Sequence, residues 1–265
     1  MKKHIPFSLA LGGGGARGLA HIGVIQKLEE LNMSPIAIAG TSMGAIIGTL
    51  LALGKTSQDM EKIIAKINFL TLIDPDMTEG LVKGKKVETL LDTLFEGKDF
   101  SETLIPLQVI ATDINTGDRI IFSEGKLSRA VRASICLPGI FVPKTIDSRS
   151  LVDGGLTNNL PVEVLPEGKV IAVSALRDLT RKLKKSRTIL GFSIQKTIFG
   201  NSYDLLQKTI DIMLAQNESR SLISREDIVY IRPKFDSLDY YEFYKYKDFI
   251  RAGYTAAKNI GEGII

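Results

Sequence analysis

Two glycine-rich turns within the first 50 residues contain the groups best suited to catalysis. The stretch from Gly12 to Gly18 reads Gly-Gly-Gly-Gly-Ala-Arg-Gly and can present several backbone N–H groups to an anion. The stretch from Gly40 to Gly44 reads Gly-Thr-Ser-Met-Gly and can present the Ser42 hydroxyl at the tip of a sharp strand-to-helix turn. An oxyanion hole and a serine nucleophile are two parts of a serine hydrolase. The missing part is the group that accepts the serine proton.

The turn around Ser42 has the small residues that such a nucleophile turn needs. A side chain at Gly40 or Gly44 would collide with the strand or the helix that the turn joins. An apolar strand is predicted before the turn and an apolar helix after it, and the helix N-terminus adds positive potential near the serine oxygen. The same five residues also suit an inert turn with a capping serine, so this motif alone leaves both interpretations open.

The first glycine turn also matches a dinucleotide-binding pattern, with glycines at Gly13, Gly15 and Gly18. That pattern requires an acidic residue at the end of the next strand, about 20 residues further on. Here the next strand ends at the Ser42 turn, which contains no carboxylate, so the sequence disfavours a nucleotide-binding oxidoreductase. Arg17 lies inside the turn, where it could orient the loop, attract an anionic headgroup or simply lie on the surface.

The chain has only two histidines to activate a serine, His4 and His21. His4 lies at the N-terminus, and His21 falls among apolar residues of the first predicted helix, which favours a packing role. The base is therefore expected to be a carboxylate. Asp153 follows a short apolar strand and precedes Gly154 and Gly155, which let the backbone bend away from the side chain. Asp-Gly-Gly is also ordinary turn chemistry, so Asp153 gains weight only beside the other two motifs.

Composition narrows the class of protein. The 265 residues suit one large α/β domain or two small ones, and no change in composition argues for two. The net charge of +4 is too weak to imply nucleic-acid binding but fits an enzyme that approaches anionic surfaces. The single Cys136 excludes an intramolecular disulfide and a four-cysteine zinc site. The longest apolar run, residues 45–53, is about half the ~20 residues of a membrane span, and we expect a soluble, cytoplasmic protein without an export signal.

Apolar periodicity predicts an alternation of strands and helices, which favours a parallel sheet with right-handed crossovers. Strands are predicted at 7–11, 36–39, 107–112, 119–122, 150–152, 170–174 and 228–232. Helices are predicted at 16–31, 43–53, 57–69, 85–95, 127–135, 202–224 and 248–260. Ser57 is the predicted cap of the third helix.

The three motifs in this order resemble the patatin-like phospholipase family. The matching segments run from Gly13 to Gly18, from Gly40 to Gly44 and from Asp153 to Gly155, and segments 133–143 and 158–161 are also similar to the family. The glycine run looks closest to compact bacterial members and to the neuropathy-target-esterase branch. The resemblance implies a three-layer α/β/α fold with a mainly parallel central sheet. It covers about residues 6–175 of one predicted domain, 1–265, and 176–265 is taken as the remainder of that domain.

The resemblance also assigns residues to roles. It implies that Ser42 is the nucleophile, Asp153 is the base, and the N–H groups of Gly13, Gly14 and Gly15 form the oxyanion hole. It implies that no metal or cofactor is needed. The supporting motif residues are Arg17, Gly18, Gly40, Gly44, Gly154 and Gly155.

The expected activity is hydrolysis of phospholipids, lysophospholipids or other fatty acyl esters. A short-chain carboxylesterase and a non-catalytic regulator with the same fold remain alternatives. The segments that could line or cover an acyl channel are the loop at 69–82 and the aromatic residues Phe192, Phe199, Tyr240, Tyr241 and Phe243. Five basic residues within 181–187 could meet an anionic membrane at the inner surface, although a solvated loop explains them as well.

Overall fold

The computed structural model describes residues 5–72, 74, 82–177, 188–189, 192–193, 198–235, 238 and 240–260. The strands are β1 (Phe7–Leu11), β2 (Ala37–Thr41), β3 (Leu107–Asp113), β4 (Arg119–Phe122), β5 (Lys144–Ile146), β6 (Arg149–Asp153), β7 (Lys169–Val173), β8 (Thr188–Ile189), β9 (Phe192–Ser193) and β10 (Ile228–Ile231). The helices are α1 (Ala20–Glu30), α2 (Met43–Ala52), α3 (Ser57–Lys66), α4 (Lys85–Leu94), α5 (Leu127–Ser134), α6 (Ile198–Ile223) and α7 (Tyr246–Ala256).

The central sheet is mixed and mainly parallel. In the described chain, hydrogen-bonded neighbours link the strands in the series β10–β7–β1–β2–β3–β6–β5, and β4 also pairs with β3. The neighbours from β10 to β3 are parallel, whereas β4 and β6 run antiparallel to β3, and β5 runs antiparallel to β6. Helices cover the sheet, which confirms the predicted α/β/α class. The end of the chain contributes to this framework, because β10 pairs with β7 and α7 packs against α1.

The two faces of the sheet differ in the size of their side chains. Leu9 and Leu11 of β1 belong to the large core that also contains residues of α1, α2 and α7. Ala10 and Ala172 belong to a smaller core on the other side, against which Leu222 of α6 packs. Successive residues of a strand point to opposite faces, so this alternation gives one bulky and one shallow layer. Because both faces are covered, β1 and β2 are buried along their whole length.

Most predicted elements are present, and the differences have local causes. Residues Gly15–Leu19 form a 3₁₀ turn, so α1 begins only at Ala20. Thr56, and not Ser57, caps α3, because its side chain accepts the Asp59 N–H while the Asp59 carboxylate accepts the Thr56 N–H. Strand β5 was not predicted from the sequence, since its turn to β6 contains no glycine.

That turn uses two residues with left-handed backbone, Asp147 (φ 49°) and Ser148 (φ 63°), the conformation typical of tight hairpins. Helix α6 begins at Ile198, before its predicted start at residue 202.

Candidate active site

The pairing of three strands brings Ser42 and Asp153 together. Strand β2 lies along one edge of β3 until Thr41 pairs with Ile110. Strand β6 pairs with β3 from Asp153 opposite Ala111 onward. Strand β4 overlaps both of these pairings and therefore occupies the other edge of β3. Strands β2 and β6 thus share one edge, and their ends meet over adjacent residues of β3.

Ser42 lies between β2 and α2 in a backbone conformation that L-residues rarely adopt, with φ 54° and ψ −122°. Its N–H donates to the Ser134 Oγ at 2.9 Å. Gly40 and Gly44 allow the turn, because a Cβ at Gly40 would meet the backbone of Gly44, and a Cβ at Gly44 would meet the Leu11 carbonyl. Ser42 is 7% exposed and precedes the N-terminus of a helix, where partial positive charge favours an oxyanion.

Asp153 is buried, and burial raises the pKa of its carboxyl group from 3.8 to about 6. The Gly155 N–H, which donates to Oδ1 at 2.8 Å, acts against this shift, and so does the interaction with the Ser42 hydroxyl. A carboxylate with a pKa near neutrality is well suited to accept a proton at physiological pH. A Cβ at Gly154 would collide with the Ile110 carbonyl, and one at Gly155 would meet Leu214, so both glycines are required for close packing.

The first glycine turn lies directly against Ser42. A Cβ on Gly13 would lie 2.9 Å from the Ser42 Cβ. The Gly13 N–H, however, donates to the Asn159 carbonyl at 3.3 Å, whereas the N–H groups of Gly14 and Gly15 donate to no other described residue. Of the three predicted oxyanion donors, the latter two are therefore available to a ligand in this conformation.

Arg17 is buried, so it does not lie on the surface. Its Nε donates to the Gly14 carbonyl at 3.2 Å, and its Nη2 forms an ion pair with Asp211 at 3.3 Å. The guanidinium also lies 5.2 Å from the ring centre of Tyr240. These contacts are consistent with orientation of the loop, the first of its three predicted roles, which stays a prediction. Gly18 follows and packs against Met43, the residue after Ser42.

His21 is buried in α1, and its Nε2 lies 2.8 Å from the Gly12 carbonyl. Burial lowers the pKa of the imidazole to about 4, so the ring is neutral at physiological pH. Since Gly12 begins the glycine turn, this contact supports the predicted packing role.

Several residues that support the site carried no signal in the sequence. The Thr112 hydroxyl donates to the Asp153 carbonyl, and the Thr41 hydroxyl donates to the Asn158 carbonyl. One face of α6 contacts the glycine turn and the aspartate turn; its residues there are Asp211, Leu214, Asn217, Glu218 and Ser221. The 3.6-residue spacing of this face is visible in the sequence, but its partners are not.

The predicted channel and membrane residues are only partly described. The Tyr240 ring packs against Gly15, and Phe243 stacks on Phe69 with ring centres 4.3 Å apart. Most of the 69–82 loop and the side chains of Phe192 and Phe199 lie outside the described residues, as do Arg181, Lys182, Lys184, Lys185 and Arg187. In the described chain, no group of three His, Cys, Asp or Glu side chains is arranged to hold a metal ion.

Comparison with known proteins decides the family. A model of the patatin-like phospholipase family matches residues 9–166, more than half of the chain. The chain belongs to this family. An NTE family protein of Mycobacterium tuberculosis is 38% identical over 158 residues, which cover 58% of this chain and 44% of that protein. Patatin-like phospholipase domain-containing protein 7 of Mus musculus is 27% identical over 278 residues, which cover 96% of this chain and 20% of that protein.

These relatives confirm the predicted resemblance to the neuropathy-target-esterase branch, although the matching region spans less than half of their own length. Two solved structures share the fold. VipD of Legionella pneumophila superposes with a TM-score of 0.65 at 15% identity, covering 98% of this chain and 67% of VipD. ExoU of Pseudomonas aeruginosa superposes with a TM-score of 0.52 at 12% identity, covering 99% of this chain and 53% of ExoU.

Among the described residues, none of the helices has the length and apolar character needed to cross a bilayer.

Proposed function

We propose that the chain is a serine hydrolase that cleaves the carboxylic ester bonds of phospholipids, lysophospholipids or other fatty acyl esters through a dyad of Ser42 and Asp153. The observation that carries this proposal is the meeting of a serine in a strained turn with a buried carboxyl group whose pKa is raised to about 6. The family match and the relatives named as patatin-like phospholipases support a lipid ester as the substrate.

The proposed reaction proceeds in two steps. Asp153 accepts the Ser42 proton while the serine oxygen attacks the ester carbonyl carbon. The N–H groups of Gly14 and Gly15, which have no described partner, stabilise the negative oxygen of the tetrahedral intermediate. The alcohol leaves with the proton held by Asp153. Water then attacks the acyl-serine, again with Asp153 as the base, and releases the fatty acid.

Contact with an anionic membrane is part of the same proposal, because a lipid hydrolase must reach a substrate held in a bilayer. The net charge of +4 is consistent with that contact.

Hydrolysis of p-nitrophenyl esters from acetyl to palmitoyl, and fatty-acid release from lysophospholipid and phospholipid vesicles, test the proposal. We expect the rate to rise with chain length and Ser42→Ala to remove activity at every length. Ser219→Ala is the control, since this serine is exposed and its hydroxyl donates to the Ala215 carbonyl within α6.

A preference for the shortest esters would instead favour the carboxylesterase alternative. A folded wild-type protein without any hydrolysis would favour the non-catalytic regulator.

A further inference from the structure

The two N–H groups available at the glycine turn belong to peptide units whose carbonyl oxygens are held from the opposite side. The Gly13 carbonyl accepts a hydrogen bond from Asn159 Nδ2 at 3.4 Å, and the Gly14 carbonyl accepts one from Arg17 Nε at 3.2 Å. A trans peptide is planar, with its N–H and C=O pointing in opposite directions. Holding the Gly13 carbonyl therefore aims the Gly14 N–H, and holding the Gly14 carbonyl aims the Gly15 N–H.

Both of these side-chain donors are anchored on α6. The second N–H of the Asn159 amide donates to Glu218 Oε2 at 3.3 Å, and Arg17 Nη2 pairs with Asp211 Oδ1 at 3.3 Å. Asp211 and Glu218 lie two helical turns apart, so they project from the same face of α6. Both are buried.

The two carboxylates are themselves fixed through their second oxygens. Glu218 Oε1 accepts the Tyr230 hydroxyl at 2.7 Å, and Asp211 Oδ2 accepts Arg177 Nε at 3.0 Å. Each carboxylate is thus held on both sides, which limits its rotation and that of the donor it orients.

The Asn159 amide shows that this arrangement has an energetic cost. Its NH₂ group faces two acceptors, the Gly13 carbonyl and Glu218, while its buried Oδ1 has no hydrogen-bond partner among the described atoms. Leaving a buried acceptor unsatisfied is unfavourable. Because a carboxylate only accepts hydrogen bonds, Glu218 fixes the NH₂ group in the direction that serves the Gly13 carbonyl.

We propose that Glu218 and Asp211 of α6 are positioning residues for the oxyanion hole, acting through Asn159 on the Gly14 N–H and through Arg17 on the Gly15 N–H. The inference rests on the proposed function. The two carboxylates also polarise the donors they hold, and a polarised donor on a peptide carbonyl strengthens the N–H of that peptide. Helix α6, which contains none of the motifs, thereby affects how strongly the Gly14 and Gly15 N–H groups stabilise the oxyanion.

Isosteric replacements of the two acids test the effect on turnover. We expect Glu218→Gln and Asp211→Asn to lower kcat about 10- to 100-fold, with KM changed by no more than about twofold, because the oxyanion forms only after the substrate has bound. Glu226→Gln and Asp248→Asn are matched controls at exposed positions and should retain wild-type kcat. Glu218→Gln is the decisive variant, because its partners Asn159 and Tyr230 are neutral and no buried ion loses its partner.

A double-mutant cycle separates positioning from a general loss of stability. If Glu218 acts through Asn159, the Asn159→Ala/Glu218→Gln double variant should be no slower than Asn159→Ala alone. Additive losses in kcat, or a kcat of Glu218→Gln equal to that of Glu226→Gln, would overturn the proposal.

Nuclear magnetic resonance of protein labelled with ¹⁵N-glycine provides a readout that needs no turnover. We expect the Gly14 amide signal to move in Glu218→Gln and the Gly15 signal to move in Asp211→Asn, with most other glycine signals unchanged as evidence of folding. Unchanged Gly14 and Gly15 signals in both variants would contradict the proposal. A wild-type protein that hydrolyses no ester would refute the proposed function, and these shifts would still decide whether α6 positions the turn.

Discussion

The segment from β1 to α2 and helix α6 contribute to the same candidate site in different ways. The first segment supplies Ser42 and the glycine turn. Its role can be predicted from the sequence, because tight turns admit few residue types. Helix α6 supplies Asp211, Asn217 and Glu218, which reach the site through side-chain hydrogen bonds. Many residue types fit a helix, so no short motif marks these three positions.

The comparison separates two kinds of requirement. In the first segment the Ser42 side chain and the backbone N–H groups of the glycine turn perform the proposed chemistry, and a change of residue there alters the turn. In α6 the side chains hold a turn that another part of the chain has already formed. Changes in the motifs should therefore remove activity, whereas changes in α6 should reduce it by degrees.

The largest effect is expected at Asp153, which belongs to the third motif. Asp153→Asn should lower kcat/KM by about 10³-fold or more, because the amide cannot accept the serine proton. In the wild type, kcat/KM should rise with pH to a plateau above the Asp153 pKa of about 6. A pH–rate profile measured on both proteins checks this. Substantial activity in a folded Asp153→Asn variant would contradict the dyad.

Relative to the wild type, the same variant should be more stable at high pH than at low pH. The raised pKa means that the folded state binds the Asp153 proton more tightly than the unfolded state does, so stability declines as pH rises from about 4 through about 6. The decline attributable to this group is on the order of 2–3 kcal/mol. Denaturant unfolding checks this. The free energy of unfolding of the wild type minus that of Asp153→Asn should be lower at pH 8 than at pH 4 by this amount. An unchanged difference would contradict the burial of an ionised Asp153.

His21 tests whether a buried polar residue in the segment from β1 to α2 must take part in catalysis. His21→Gln should lower the free energy of unfolding by about 1–2 kcal/mol, because the ring packs in α1 and contacts the Gly12 carbonyl. The value of kcat should stay within about threefold of wild type. Thermal unfolding and ester hydrolysis measured together decide this, and a folded variant without turnover would restore His21 as a candidate base.

A moderate effect on activity is expected for Asn217 of α6. The Asn217 amide donates to the carbonyls of Gly155 and Leu156, at 3.1 and 2.7 Å, and so holds the aspartate turn. Asn217→Ala should loosen this turn and admit water to Asp153, which lowers the carboxyl pKa. We expect about a three- to tenfold loss of kcat/KM and a pH–rate midpoint shifted below that of the wild type. A midpoint that does not move would limit Asn217 to a packing role.

The sequence predicts the secondary structure better than it predicts the contacts of the candidate site. The buried strands and most helices follow from apolar periodicity, and their order predicts the parallel part of the sheet. The proximity of Ser42 and Asp153 could not be derived in that way, because it depends on β6 following β2 along one edge of β3. Only the resemblance to the family predicts that these two residues act together, and that dyad stays a prediction.

Arg17 shows the main limit. The sequence leaves three roles open for Arg17, including a surface position, but its side chain is buried because Asp211, 194 residues away in sequence, provides its counter-charge. The orphaned Oδ1 of Asn159 is likewise visible only once Gly13 and Glu218 are known to surround the amide. Long-range partners of this kind leave no local pattern.

Fluorophosphonate labelling followed by intact-mass measurement tests the central claim most directly, because it detects an activated serine without assuming a substrate. The wild-type protein, Ser42→Ala and Asp153→Asn should be compared under the same conditions. We predict one adduct on the wild type, none on Ser42→Ala, and strongly slowed labelling of Asp153→Asn. Equal labelling of wild type and Ser42→Ala, or no adduct on folded wild-type protein, would contradict the account.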